Sequence, residues 1–131
     1  MIGAHLDFIA DTSAIVRLVR GDSQVEEKVR GKPFAITFVT VAELDVGILK
    51  AKHQVAAAQR CLEVLTGVQV FHGSGSTPMF YARIYCDLEQ RGVMIPVNDI
   101  WIAALALESH LPILARDEHF SRVRGLSVIV C

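Results

Sequence analysis

The sequence predicts an α/β fold built on a mostly parallel sheet with helices on both faces. Three observations lead there. Short apolar runs alternate with helical stretches, as when parallel strands are joined by helical crossovers. Three acidic residues each stand just past such a run, near the start of a helix, and a fourth opens a helix of its own. Finally, 131 residues, 52% of them apolar, suffice for one domain spanning 1–131 with a sizeable core, and leave apolar surface for a partner.

In chain order, a strand near 5–10 leads to a helix near 13–20, stopped by Gly21. A strand near 34–39 leads to a helix near 41–52, then a helix near 54–65 closed by Gly67. A strand near 68–71 precedes a Gly/Ser loop, which lacks the spacing of a phosphate-binding P-loop. Pro78 suits the first turn of the next helix, which runs to about Arg91 and stops at Gly92. A helix over 99–110, a strand over 112–115, a helical turn at 118–122 and a strand over 126–130 complete the chain.

At about 100° per residue, the helix 41–52 carries two apolar stripes. Val41, Leu44, Ile48 and Ala51 form one; Ala42, Val46 and Leu49 form the other. One packs on the sheet, and the second needs the neighbouring helix 54–65 or a protein partner. Helix 99–110 is apolar nearly all round, so it is expected to be buried and to hold Asp99 rigidly at its mouth.

The longest apolar run, Ile100–Leu107, is far short of the ~18 residues of a membrane span. No basic start precedes the first apolar stretch, which Asp7 and Asp11 interrupt, so no cleaved signal peptide is expected. Cys61, Cys86 and Cys131 are odd in number and scattered, which fits reduced thiols in the cytoplasm. The five histidines show no metal-ligand spacing. The net charge of −1 becomes +3 once four acids are set aside, so a weakly basic rim can meet phosphate.

Those four acids are Asp11, Glu43, Asp99 and Asp117. In an open parallel sheet their positions converge outside the carboxyl ends of the strands, where ligands bind. Carboxylates gathered there repel one another unless a cation lies between them. Oxygen-only ligands suit Mg2+ or Mn2+, and such an ion turns bound water into a nucleophile for hydrolysis. Each acid taken singly also reads as a cap. Asp11 and Asp117 can start helical turns; Glu43 completes a capping box with Thr40, and Asp99 favours a helix N-terminus beside Asn98. If Thr40 and Asn98 do the capping, Glu43 and Asp99 are free for metal. Thr12, Ser13 and Asn98 are candidate supports, and Arg116 is a candidate phosphate contact.

Ile9-Ala10-Asp11-Thr12-Ser13, Thr40-Val41-Ala42-Glu43-Leu44, Asn98-Asp99-Ile100-Trp101-Ile102-Ala103-Ala104 and Leu114-Ala115-Arg116-Asp117-Glu118-His119-Phe120 resemble, in order, the four motifs of PIN-domain nucleases. In size and motif style the chain is most similar to the VapC toxins of bacterial toxin–antitoxin pairs. The resemblance implies a three-layer α/β/α sandwich and an endoribonuclease dependent on Mg2+ or Mn2+. It makes Asp11, Glu43, Asp99 and Asp117 the metal-binding catalytic acids. It also implies an RNA substrate, a homodimer and a small cognate antitoxin. Ala115 departs from the pattern, since many relatives carry threonine or serine there. Two rivals are a PIN nuclease of RNA processing without an antitoxin, and a phosphoacceptor signalling domain. The latter calls for an acidic pair ending the first strand and a late lysine, whereas Asp11 stands alone and no lysine follows Lys52.

Overall fold

The first strand is the middle of the sheet. A computed structural model describes residues 5–131, with β1 at Phe8–Ala10, β2 at Phe34–Thr37, β3 at Gln69–Phe71, β4 at Ile113–Ala115 and β5 at Val128–Val130. Their order is β3-β2-β1-β4-β5, all parallel. The helices are α1 (Thr12–Val19), α2 (Ser23–Val29), α3 (Phe38–Leu49), α4 (Gln54–Leu65), α5 (Thr77–Arg91) and α6 (Val97–Glu108), with a 3₁₀ turn at Glu118–Arg122. The chain builds outward from β1 through β2 to β3, then returns to place β4 on the other side of β1. That reversal makes the carboxyl ends of β1 and β4 a topological switch point, where open sheets bind ligands.

The three inner strands β1, β2 and β4 are buried on both faces, and successive side chains enter opposite cores. Ile9, Ala35, Ile113 and Ala115 pack with Ile84 and Leu88 of α5, Ile100 and Ala103 of α6, and Phe120. Phe8, Ala10, Ile36 and Leu114 pack with Ala14, Ile15 and Leu18 of α1, Val25 of α2 and Leu44 of α3. The result is the expected α/β/α sandwich. Gly92 closes α5 in the left-handed region (φ 68°), as the sequence predicts. Gly73 is required by space as well as by its φ of 84°, because a Cβ there would sit 2.5 Å from Thr77 Oγ1.

Four expectations need correction. Helix α2 occupies a stretch for which the sequence predicts no element, although Asp22 caps it by accepting from the backbone N–H groups of Gln24 (2.9 Å) and Val25 (3.3 Å). The second strand ends at Thr37 and α3 begins at Phe38. Thr37 is its N-cap, accepting from Thr40 N–H at 3.3 Å, so Thr40 and Glu43 form no capping box. The β-branched and aromatic pair Phe38-Val39 reads locally as strand. Instead Val39 is buried between the sheet and α6, and Phe38 stacks on His72. Helix α6 starts two residues early, after Pro96, and Asn98 lies within its first turn instead of capping it. Finally, α4 does not cover the second stripe of α3. It lies along Val41, Leu44 and Ile48, leaving Val46 and Leu49 exposed, Leu49 at 70%.

Phe120 ties the turn after β4 to the α5–α6 layer and is fully buried. Phe120→Ala is expected to destabilise the fold by about 3–5 kcal/mol in urea unfolding, the range for truncating a buried aromatic ring. A drop below about 1 kcal/mol would show that this turn does not share the core.

Candidate metal centre at the carboxyl edge of the sheet

The central strand delivers Asp11 directly to the switch point. Asp11 follows β1 in extended conformation (ψ 162°), caps α1, and is only 2% exposed. Its carboxylate accepts from the Ser13 hydroxyl and from Ser13 N–H at 3.2 Å. Asp117 follows β4, the neighbouring strand, and is exposed. Glu43 comes from the second turn of α3 and Asp99 from the first turn of α6. All four acids share one electrostatic neighbourhood. The charge of Asp99 raises the Asp11 pKa, and the charges of Glu43 and Asp117 raise that of Asp99.

Burial is the larger effect at both aspartates. Removal from water pushes the Asp11 carboxyl up to about 6, against the lowering effect of the Ser13 hydroxyl. Burial also raises the Asp99 carboxyl, opposed by His119, whose Nδ1 lies 3.1 Å from Asp99 Oδ2. An ionised carboxylate only accepts, so His119 Nδ1 must then carry the proton.

Hydroxyls organise the rest. Thr12 Oγ1 donates to Glu43 Oε1 at 2.6 Å and lies 2.9 Å from Thr40 Oγ1. Thr12 has one proton and gives it to Glu43, so the buried Thr40 hydroxyl donates to Thr12. Ser13 Oγ accepts from Arg116 N–H at 3.1 Å while donating to Asp11. Thus Thr12 ties α1 to α3, and Ser13 ties α1 to the loop after β4. Ser13 supplies a hydroxyl beside that loop, where Ala115 itself is buried in the core. Asn98 approaches Glu43 only loosely, at 3.5 Å, and Arg116 donates from Nη1 to the Cys131 carbonyl at 3.1 Å.

The structure therefore brings together all four predicted acids with Thr12, Ser13, Asn98 and Arg116. Sequence reading missed His119 and Thr40 as partners of the site. His119 has a usable signal, since it stands two residues past Asp117; Thr40 reads locally as a cap. Among the described residues, no three His, Cys, Asp or Glu side chains converge closely enough to form a ready-made ion cage. The all-oxygen set still fits Mg2+ or Mn2+, because Mg2+ is commonly held by one or two carboxylates while keeping waters and taking substrate phosphate oxygens.

Comparison with known families bears on this geometry, since the PIN domain family matches residues 8–126, from β1 to the approach to β5. The chain belongs to the PIN-domain family. Among curated relatives of this PIN domain, Ribonuclease VapC5 of Mycobacterium tuberculosis is 31% identical over 92% of this chain and 90% of that protein. Ribonuclease VapC4 of the same organism is 29% identical, over 92% and 94%. The crystal structure of VapBC-5 from M. tuberculosis superposes with a TM-score of 0.79 at 29% identity, covering 97% of this chain and 100% of that one. VapBC2 from Rickettsia felis, bound to a promoter DNA fragment, has the same fold, with a TM-score of 0.88 at 20% identity over 95% and 98% of the two chains. The phosphoacceptor reading falls with these matches.

The raised carboxyl of Asp11 has a definite sign in folding. A carboxyl whose pKa is higher folded than unfolded binds more protons in the native state, so its contribution is greatest below pH 4 and is lost as pH rises toward 6. With metal chelated, Asp11→Asn should therefore be more stable than wild type at pH 7, by up to roughly 3 kcal/mol, and nearly equal to it at pH 4. Denaturant midpoints at the two pH values check this; an equal difference at both would assign the effect to something other than Asp11 ionisation.

Proposed function

We propose that this PIN domain is a divalent-metal-dependent endoribonuclease that hydrolyses RNA phosphodiester bonds and acts as the toxin of a toxin–antitoxin pair. The observation that carries the proposal is the meeting of Asp11, Glu43, Asp99 and Asp117 at the switch point of the sheet. The curated relatives are named ribonucleases, and the structural neighbours include a member of the VapBC family of toxin–antitoxin systems, which supports both halves of the reading.

In this reading the four acids would hold Mg2+ or Mn2+. A bound ion supplies a hydroxide-like water and stabilises charge on the scissile phosphate and leaving oxygen. The chain's own groups prepare for that chemistry. Burial of Asp11 excludes bulk water from one side of the site. Thr12 and Ser13 each spend their single proton on a carboxylate, so Glu43 and Asp11 are oriented with lone pairs left over. His119 fixes the rotamer of Asp99. Arg116, on the loop beside Asp117, would meet a substrate phosphate with the part of its guanidinium that Cys131 does not use.

The partner side of the proposal rests on α3. Its exposed residues Val46 and Leu49 suit a protein contact, an antitoxin or the second copy of a homodimer. Cys61, Cys86 and Cys131 are all free thiols, in keeping with a reducing cytoplasmic setting, and no helix among the described residues is long and apolar enough to cross a membrane.

Asp99→Asn should lower metal-dependent RNA cleavage by at least about a hundredfold, since the ion contributes several kcal/mol to the barrier. Circular dichroism should show the fold intact. Wild-type cleavage by the folded variant overturns the assignment. Mn2+ should raise the melting temperature of the wild type, as any ligand of the native state does. His119→Ala should weaken Mn2+ binding by about 10- to 100-fold in calorimetry, the usual cost of losing a group that orients a metal ligand. His119→Asn, whose amide can donate from nearly the position of Nδ1, should recover most of that affinity. Equal Mn2+ affinity in wild type and His119→Ala would remove His119 from the site.

A further inference from the structure

We propose that the arginine-lined groove beside the acids binds the sugar–phosphate backbone of single-stranded RNA on one side of the scissile bond. This rests on the ribonuclease reading and adds a direction to it.

The groove lies between α1 and the loop after β4, with a volume of about 520 Å³. Ser13 and Asp117 stand at its catalytic end, and Arg17, Arg20 and Arg116 line it. Arg17 lies on α1 and Arg20 is its helical C-cap three residues on, so they share a face. Arg17 lies about 6 Å along the helix axis from Ser13, and Arg20 about 4.5 Å further. Cations are therefore laid out in file away from the carboxylates, as a strand leaving the site would need.

Two acids line the groove with them: Asp117 belongs to its catalytic end, and the charge of Asp22 is already met within the fold. Asp22 accepts from two backbone N–H groups at the start of α2 and from Arg17 Nη1 at 3.2 Å. The N–H groups are the main reason its carboxyl stays below the usual range. Its charge is thus met largely by the helix terminus. Arg17 gives Asp22 one of its five N–H donors, and Arg116 gives one to the Cys131 carbonyl, which anchors it at the groove wall. Among the described residues, the exposed side chain of Arg20 has no hydrogen bond or ion pair. Guanidinium groups recognise phosphate oxygens through paired N–H donors.

The flank formed by α3 differs. Phe38–Leu49 contains no lysine or arginine; its exposed residues include Phe38, Val46 and Leu49 with the anionic Asp45, and one cation, the C-cap Lys50, follows it. A phosphate backbone crossing the acids meets three arginines on the α1 side and, on the α3 side, only Lys50 past the helix end. Recognition should therefore be one-sided.

The test uses the full chain carrying Asp99→Asn, so that RNA binds without being cut. Fluorescence anisotropy is read with an RNA that the wild type cleaves, extended only 5′ or only 3′ of the cut. In this background Arg17→Gln/Arg20→Gln should weaken binding about tenfold for one extension and leave the other nearly unchanged. The slope of log affinity against log salt should fall by about 1.4, at roughly 0.7 for each single-strand phosphate that no longer meets an arginine. Arg20→Gln alone, which removes no hydrogen bond of the fold, should give about half the change in slope. Arg83→Gln on α5 serves as the control. Unchanged affinity and slope in the double variant overturn the groove while wild-type cleavage keeps the nuclease reading. Equal weakening for both extensions also overturns it, as diffuse charge would act on either side. Full RNA affinity together with abolished binding of an acidic peptide would assign the groove to a protein partner instead. A wild type that neither binds nor cuts any RNA defeats the ribonuclease reading and the groove together.

Discussion

Parallel pairing of β1 on both its edges is the constraint on which the site depends. Three residues, Phe8–Ala10, hydrogen-bond to β2 on one side and β4 on the other and are buried on both faces. Because β1 is central, the residue after it emerges at the switch point of the sheet, inside the molecule. Asp11 is therefore buried by position. The same pairing sets β4 beside it, so the loop carrying Arg116 and Asp117 opens on the same edge. Helices α3 and α6 start from that edge and add Glu43 and Asp99.

Crowding acids into such a place raises the free energy of their charged forms, through lost hydration first and mutual repulsion second. The fold offsets this with neutral donors. Ser13 serves Asp11, Thr12 serves Glu43, and His119 serves Asp99. Two of these donors are consecutive residues in the first turn of α1, and each is fixed from a different element. Thr40 of α3 holds Thr12, and the Arg116 backbone of the β4 loop holds Ser13. The turn Asp11-Thr12-Ser13 is consequently the joint at which three elements meet, and its hydroxyls orient its own Asp11 and the Glu43 of α3. The cores on either side of the sheet hold that joint by packing α1 and α6 against β1 from opposite faces.

Much of this is legible in the chain. Apolar runs alternating with helices indicate the parallel sandwich, because only strands buried on both faces tolerate such runs. The four acids stand out because their positions relative to strand ends are local facts, and all four lie within the residues that the PIN-domain family matches. Less legible are the element starts. Phe38-Val39 has strand-like residues, yet Val39 finds its burial in a helix packed against α6. The segment before β2 shows no apolar period of its own, although Asp22 heads a short capped helix there. Such a helix depends on Val25 reaching the core as much as on its cap.

What the sequence determined by itself was therefore every element but α2, their layer arrangement and the choice of candidate acids, because hydrophobic period and strand-end position are encoded locally. Tertiary structure alone decided which groups surround those acids. His119 meets Asp99 across 20 positions, Thr12 meets Glu43 across 31, and Ser13 meets the Arg116 backbone across 103. No periodicity encodes such pairs, since they arise only when β1 and β4 pair and the helices settle on both faces. The arginines of α1 gain their direction in the same way, from a groove that exists only once the β4 loop lies beside that helix.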